Sequence, residues 1–219
     1  MSTQNTQGAA MWKTLLQQKA STQVKWLVIV MIIIIITATI MYIYSKSSYT
    51  DTHCQLIKDV YTDMGKVSSI NLEDANFKGF LLRDFYIKTA YNCCAIGDFK
   101  NTFVDVCGLK NVIRQGVRCL DFAVYSVNDK PVIAVSSIPC DYTVLEPQCF
   151  LIKESYNYVE FDKAMQVVAS YAYAGDTCPN PNDPLILNFR IMSKNDKIYD
   201  SMTETLKNKL GDHLLGKSF

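Results

Sequence analysis

Pro184-Leu185-Ile186-Leu187-Asn188-Phe189-Arg190-Ile191 is a near-continuous apolar run of strand length. A strand with one wet face alternates apolar and polar residues, whereas a strand covered by helices on both faces does not need to. The run therefore predicts a strand of a parallel sheet, buried on both sides. Working outward, Phe161 to Tyr173 has helical spacing with Gly175 to stop it, and Ile198, Met202, Leu206 and Leu210 mark a last helix. Val117 to Tyr125 reads as a strand, and Asn128-Asp129 as a tight turn into a second strand over 131–136. Before them, Phe99 to Gln115 predicts a helix whose buried stripe runs from Phe103 through Ile113, ended by Gly116. Asp84 to Ala90 reads as a strand, and Gln55 to Met64 as a helix carrying Leu56, Ile57, Val60 and Tyr61. Strands alternating with helices give an α/β class built on βαβ units.

The chain has 219 residues, enough for one domain and an appendage. Lys+Arg is 22 against Asp+Glu 21. With no cationic excess to neutralise phosphates, the sequence excludes a strongly basic nucleic-acid binder. Its 49 % hydrophobic residues exclude a disordered chain.

From Trp26 to Ser45 no residue is charged, and Leu27 through Met31 is followed by five isoleucines. That length and composition predict a transmembrane helix. The run ends in Met41-Tyr42-Ile43-Tyr44 and not at a small-residue cleavage site, so it predicts an anchor and not a cleaved signal. Trp26 and the tyrosines stand where interfacial aromatics belong. The expected organisation is a tail at 1–25, a span at 26–45, a polar linker at 46–53 and a folded domain at 54–219. The tail carries Lys13, Lys19 and Lys25 and no acid, while 18 basic residues after Lys46 face all 21 acidic ones. The positive-inside bias then places the amino terminus in the cytoplasm and the domain across the membrane.

All eight cysteines, Cys54, Cys93, Cys94, Cys107, Cys119, Cys140, Cys149 and Cys178, follow the span. An even, dense set beyond a membrane predicts disulfides, though eight cysteines allow 105 pairings and the connectivity stays open. Cys107 and Cys119, on apolar faces, are equally readable as buried free thiols. There is no CxxC pair and neither histidine has partners at ligand spacing, so no zinc pattern is present.

Phe85-Tyr86-Ile87-Lys88-Thr89-Ala90-Tyr91-Asn92 resembles the aromatic strand ending in S-H-N-T-Y of the X region of phosphatidylinositol-specific phospholipase C. In the same order, Gly116-Val117-Arg118-Cys119 resembles that family's G-C-R-C, and Lys130-Pro131-Val132-Ile133 its strand leading to H-G. Phe161 through Ala174 resembles its helix ending in A-F, and 183–189 its P-V-I-L-S-L-E. The likeness spans about residues 80–215. It implies a partial TIM-type (β/α) barrel of which this chain supplies about the first half.

The resemblance also says where chemistry would sit. The family moves protons with two histidines and offsets phosphoryl charge with calcium held by Asn and carboxylates. Here the histidine positions fall at Tyr91 and Val135, the ligand Asn92 is kept, and the E-L-D strand reads Asp121-Phe122-Ala123. The late carboxylate is Arg190. The incomplete ligand set implies no calcium and no other cofactor. His53 falls in the linker and His213 in the terminal helix, away from the strand ends.

The resemblance thus implies a catalytically degenerate, membrane-anchored module. Asn92, Asp121 and Arg190 would be its remnant phosphate or ligand site, with Arg190 either pairing with Asp121 or binding phosphate. The alternative is a phosphodiester hydrolase with relocated catalysis on Tyr91, Asp121 and Arg190. A third reading is an unrelated disulfide-stabilised ectodomain. An open sheet exposes backbone groups. Self-pairing, a protein partner, or cover by the helix at 55–64 and the loop at 138–160 is therefore expected; the bilayer at 26–45 is the other partner. The overall format resembles membrane proteins of large DNA viruses, which would place the domain on a virion membrane.

Overall fold

In the computed structural model, which describes residues 4–62, 64–70, 79–138 and 153–216, the sheet is built around β2 (Cys119–Val127). β5 (Ile186–Ile191) pairs with it in parallel, from Cys119↔Ile186 to Val124↔Ile191. β1 (Thr89–Ala90) is also parallel to β2, at Cys119 and Leu120, and so lies on the side opposite β5. On that same side β3 (Lys130–Ile133) runs antiparallel to residues 124–127, and β4 (Val159–Glu160) is antiparallel to β3. The parallel-sheet expectation is thus corrected to a mixed sheet. A two-residue turn with Asn128 and Asp129 at φ 51° and 61° joins only antiparallel strands.

α2 (Val106–Arg114), α3 (Phe161–Tyr171) and α4 (Lys197–Leu210) cover one face. Leu120, Phe122 and Val124 of β2, with Leu187, Phe189 and Ile191 of β5, pack into that helix layer. The opposite face carries Asp121, Ala123 and Tyr125 beside Asn188 and Arg190, and among the described residues a small second core forms there around Ala123, Tyr125, Val132, Ala134 and Met192. The expectation that β5 is buried on both faces fails for this reason. Among the described residues β5 is hydrogen-bonded to β2 alone, and Ile186 and Asn188 are exposed on the face opposite α2, α3 and α4.

Other boundaries shift for local reasons. The helix expected from Phe99 begins at Val106, because the Asp105 side chain caps it by accepting from the Cys107 amide. Thr102 and Val104, upstream, are spent on bridges to Ser155 and Ala95. The strand expected from Asp84 is reduced to Thr89–Ala90, with a 3-10 turn at Leu82–Asp84. Gly116 has φ 75°, and a Cβ there would collide with the Val67 carbonyl. Buried Arg118 donates to the carbonyl oxygens of Ala172 (2.7 Å), Pro184 (3.3 Å) and Asp183, tying the starts of β2 and β5 to the end of α3.

α1 is one continuous helix, Gln4–Thr62. The polar linker expected at 46–53 is therefore helical. Its segment from residue 23 is long and apolar enough to cross a membrane. Thr37 and Thr39 return their hydroxyls to the Ile33 and Ile35 carbonyls at 3.0 and 2.7 Å, which satisfies the polar atoms of this stretch internally. The chain divides into two compact units between Tyr49 and Thr50. Within the second, the last turns of α1 are fastened by a Cys54–Cys107 disulfide, by His53 Nδ1 at 3.1 Å from the Ile96 carbonyl, and by Gln115 Nε2 donating to the Tyr61 carbonyl at 2.7 Å. Cys93, Cys94, Cys119 and Cys178 are free thiols, while Cys140 and Cys149 lie outside the described residues, as does the loop over 139–152. Cys107 as a buried free thiol is therefore corrected: Cys54 reaches it from α1.

Candidate functional site

The helix-free face of the sheet brings Asn92, Asp121 and Arg190 into one hydrogen-bonded cluster. Parallel register sets Asp121 opposite Asn188, and Arg190, two residues on, projects from the same face of β5. Asn92 follows β1 with φ 50°, a left-handed turn that asparagine tolerates, and this aims its amide N–H at Asp121 Oδ1, 3.2 Å away. Asp121 also accepts from Asn188 Nδ2 at 2.6 Å.

Arg190 completes the set as a fork. Its Nε lies 3.1 and 3.0 Å from the two Asp121 oxygens, and its Nη2 donates to Asp121 Oδ1 at 2.8 Å and to Asn92 Oδ1 at 2.5 Å. The Asp121 side chain is 6 % exposed and that of Arg190 21 %. Such charge-assisted, forked bonding is strong and geometrically demanding. Tyr91 caps it: the guanidinium carbon is 4.4 Å from the ring centroid, and the ring meets Phe99 edge-on at 5.7 Å.

Of the positions singled out from sequence, Tyr91, Asn92, Asp121 and Arg190 meet, and Val135 does not. Val135 is buried in the core on the helix side, its carbonyl accepting from the Glu154 and Ser155 amides. Its neighbours face the other way. Ser136 Oγ and Ser137 Oγ donate to Glu154 Oε2 at 3.1 and 2.6 Å, joined by the Ser137 amide at 2.7 Å. These bonds, led by that from the Ser137 hydroxyl, hold the Glu154 carboxyl below its ordinary range. Tyr125, buried on the same face, has its phenol pushed up by burial, against the opposing pull of Arg190. Asn188, Tyr125 and Glu154 were missed in the sequence. The alternation of β2 and β5 could have supplied the first two, since both share a face with Asp121.

Chemically the cluster is an ion pair with its hydrogen bonds internally matched. Among the described residues it contains no histidine: His53 sits at the Ile96 carbonyl, and His213 stacks on Tyr173 with centroids 3.7 Å apart. Cys93 and Cys94 are no better placed to move protons, because burial pushes the Cys93 thiol up to about 12 and Cys94 well above its ordinary value. Calcium needs several hard oxygens at once. Here the one carboxylate of the cluster faces a guanidinium, so the residues do not fit the ion. Elsewhere, Cys54, Asp105 and Cys107 bring ligand-type atoms within 4.8 Å, but both sulfurs are spent on the disulfide and Asp105 Oδ1 caps α2.

No family model matches the sequence, and no curated protein does. Among solved structures, the crystal structure of L. pealei PLC21 is similar at 16 % identity and a TM-score of 0.45, covering 61 % of this chain and 14 % of that one. That of S. officinalis PLC21 is similar at 17 % identity and a TM-score of 0.44, covering 62 % and 15 %. This chain matches only a small part of the length of either.

Proposed function

We propose that the chain is a membrane-anchored, catalytically degenerate phospholipase-C-like domain that serves as a binding or structural module. α1 anchors it, with the amino terminus in the cytoplasm and the domain on the far side. The observation that carries this reading is the occupation of the strand ends by the Arg190–Asp121–Asn92 cluster under Tyr91. A phosphodiesterase of the resembling type needs a group titrating near neutrality there to take the hydroxyl proton. This cluster offers a guanidinium, a paired carboxylate and a phenol instead. Asp121 and Arg190 hold β1, β2 and β5 in register, and the face they share is kept for shape.

The test is hydrolysis. The full chain in mixed micelles with phosphatidylinositol is expected to release no inositol phosphate above the background of Asp121→Ala and Arg190→Ala variants. Turnover by the unmodified chain that both substitutions abolish would establish the alternative, catalysis relocated to Tyr91, Asp121 and Arg190.

A further inference from the structure

β5 has a partner on one side only among the described residues, and the direction of its hydrogen bonds says what its other side offers. The Ile186 and Met192 amides donate to the Arg118 and Val124 carbonyls of the β2 segment. In a parallel ladder this parity repeats every second residue, so the even-numbered amides and carbonyls face β2. Those of Leu187, Phe189 and Ile191 point outward, away from the sheet. The usual protections of an edge are missing from this strand: it has no proline and no bulge, and its one charge, Arg190, is turned onto Asp121 of its own sheet.

We infer that this edge pairs with β5 of a second copy of the chain, antiparallel and centred on Phe189. In that register Phe189 meets Phe189 of the partner copy, and Leu187 meets Ile191. All three outward residues of each strand then exchange both N–H···O bonds, and the apolar pairs continue the helix-side core across the dyad. On the other face Asn188 lies opposite Arg190 of the partner copy, a neutral–cation pair. Shifting the register by two residues toward the carboxyl end would instead set Arg190 opposite Arg190, a like-charge pair that disfavours it. The strand thus carries apolar pairs that match its own antiparallel image, and of the two neighbouring registers its charge disfavours the carboxyl-side one; centring on Phe189 is the register that pairs all three outward residues with one another. A strand-edge contact is small; resting on the anchor proposed above, copies confined to one membrane would meet at a raised effective concentration, as tethered partners do. The occupant is a second copy. A segment of the same chain or a different protein laid along β5 are the outcomes to be excluded.

Residue-resolved amide hydrogen exchange on the full chain in detergent micelles, with the protein mass in the micelle measured by light scattering, tests this. The expected result is a particle of twice 24.8 kDa. The Leu187, Phe189 and Ile191 amides would be protected in it and lose protection together on dilution, while the even-numbered amides stay protected. Leu187→Pro, which removes an outward N–H, is expected to give the monomer mass while keeping the Cys54–Cys107 disulfide. A monomer whose odd-numbered amides exchange freely at every concentration overturns the proposal. So does a monomer in which they are protected, because the chain would then be covering its own edge. A dimer with unprotected odd-numbered amides, unmoved by Leu187→Pro, would place the contact in the span and also overturn it.

Discussion

Replacing Arg190 by leucine separates the two halves of the strand-end ion pair. Asp121 would keep the Asn92 amide and Asn188 Nδ2 but lose the three short contacts from Nε and Nη2. With its side chain only 6 % exposed, the carboxylate has almost no water to replace them. Removing one partner of such a pair costs about 3–5 kcal/mol, most of it the penalty of the charge left behind. The reverse truncation is gentler. Asp121→Asn keeps one oxygen, for the Asn92 amide or for Asn188 Nδ2 but not for both, and Arg190, 21 % exposed, has a path to solvent. That variant is expected to cost about 1.5–3 kcal/mol, the worth of a hydrogen bond to a charged group. The double variant removes both charges and should recover part of the larger loss, giving a coupling of about 1–3 kcal/mol in the cycle. Urea denaturation of the full chain in micelles, followed by near-ultraviolet circular dichroism, reads all three. An Arg190→Leu cost below that of Asp121→Asn, or additive single costs, would refute the claim that these residues act as one internally matched unit.

Three further outcomes follow from the fold. Cys54→Ser should cost about 4 kcal/mol in the same denaturation, the entropy of opening a loop with a sequence separation of 53, and reductant should have the same effect on the unmodified chain. Iodoacetamide at pH 8, with sites identified by mass spectrometry, should leave Cys93 and Cys94 unmodified in the folded chain while the partly buried Cys119 reacts; equal labelling of all three would show that burial does not protect the pair. Gly116→Ala should cost about 2 kcal/mol or more from its left-handed backbone and the Val67 carbonyl, whereas Gly175→Ala, with open space around it, should be near neutral in thermal unfolding.

What was legible in the sequence is what short-range physics encodes. The apolar runs at β2 and β5, the stripes of α2, α3 and α4, and the long apolar helix near the amino terminus all follow from periodicity and composition, and each element is present. Boundaries moved where a single side chain intervened, as when Asp105 capped α2 six residues beyond the expected start at Phe99. The antiparallel return of β3 was implied by Asn128-Asp129 but was overridden by the alternation of strands and helices. Exposure of β5 was illegible, because a continuous apolar run cannot say whether a second layer exists to cover it. At the site, Asp121 and Arg190 were visible as residues, and their pairing was one of two open readings. Val135 was misplaced because a one-residue slip exchanges sheet faces. Disulfide choice was beyond the sequence: only the fold brings α1 to the first turn of α2.

The central claim, that the strand ends are closed by Arg190 and not held open for a ligand, is tested most directly by the Arg190 side chain itself. Nitrogen-15 NMR of its Nε–H in the full chain should show a signal protected from solvent exchange, its shift unchanged when calcium or inositol phosphate is added. A rapidly exchanging Nε–H, or a saturable shift with either ligand that Asp121→Asn alters, would contradict the account.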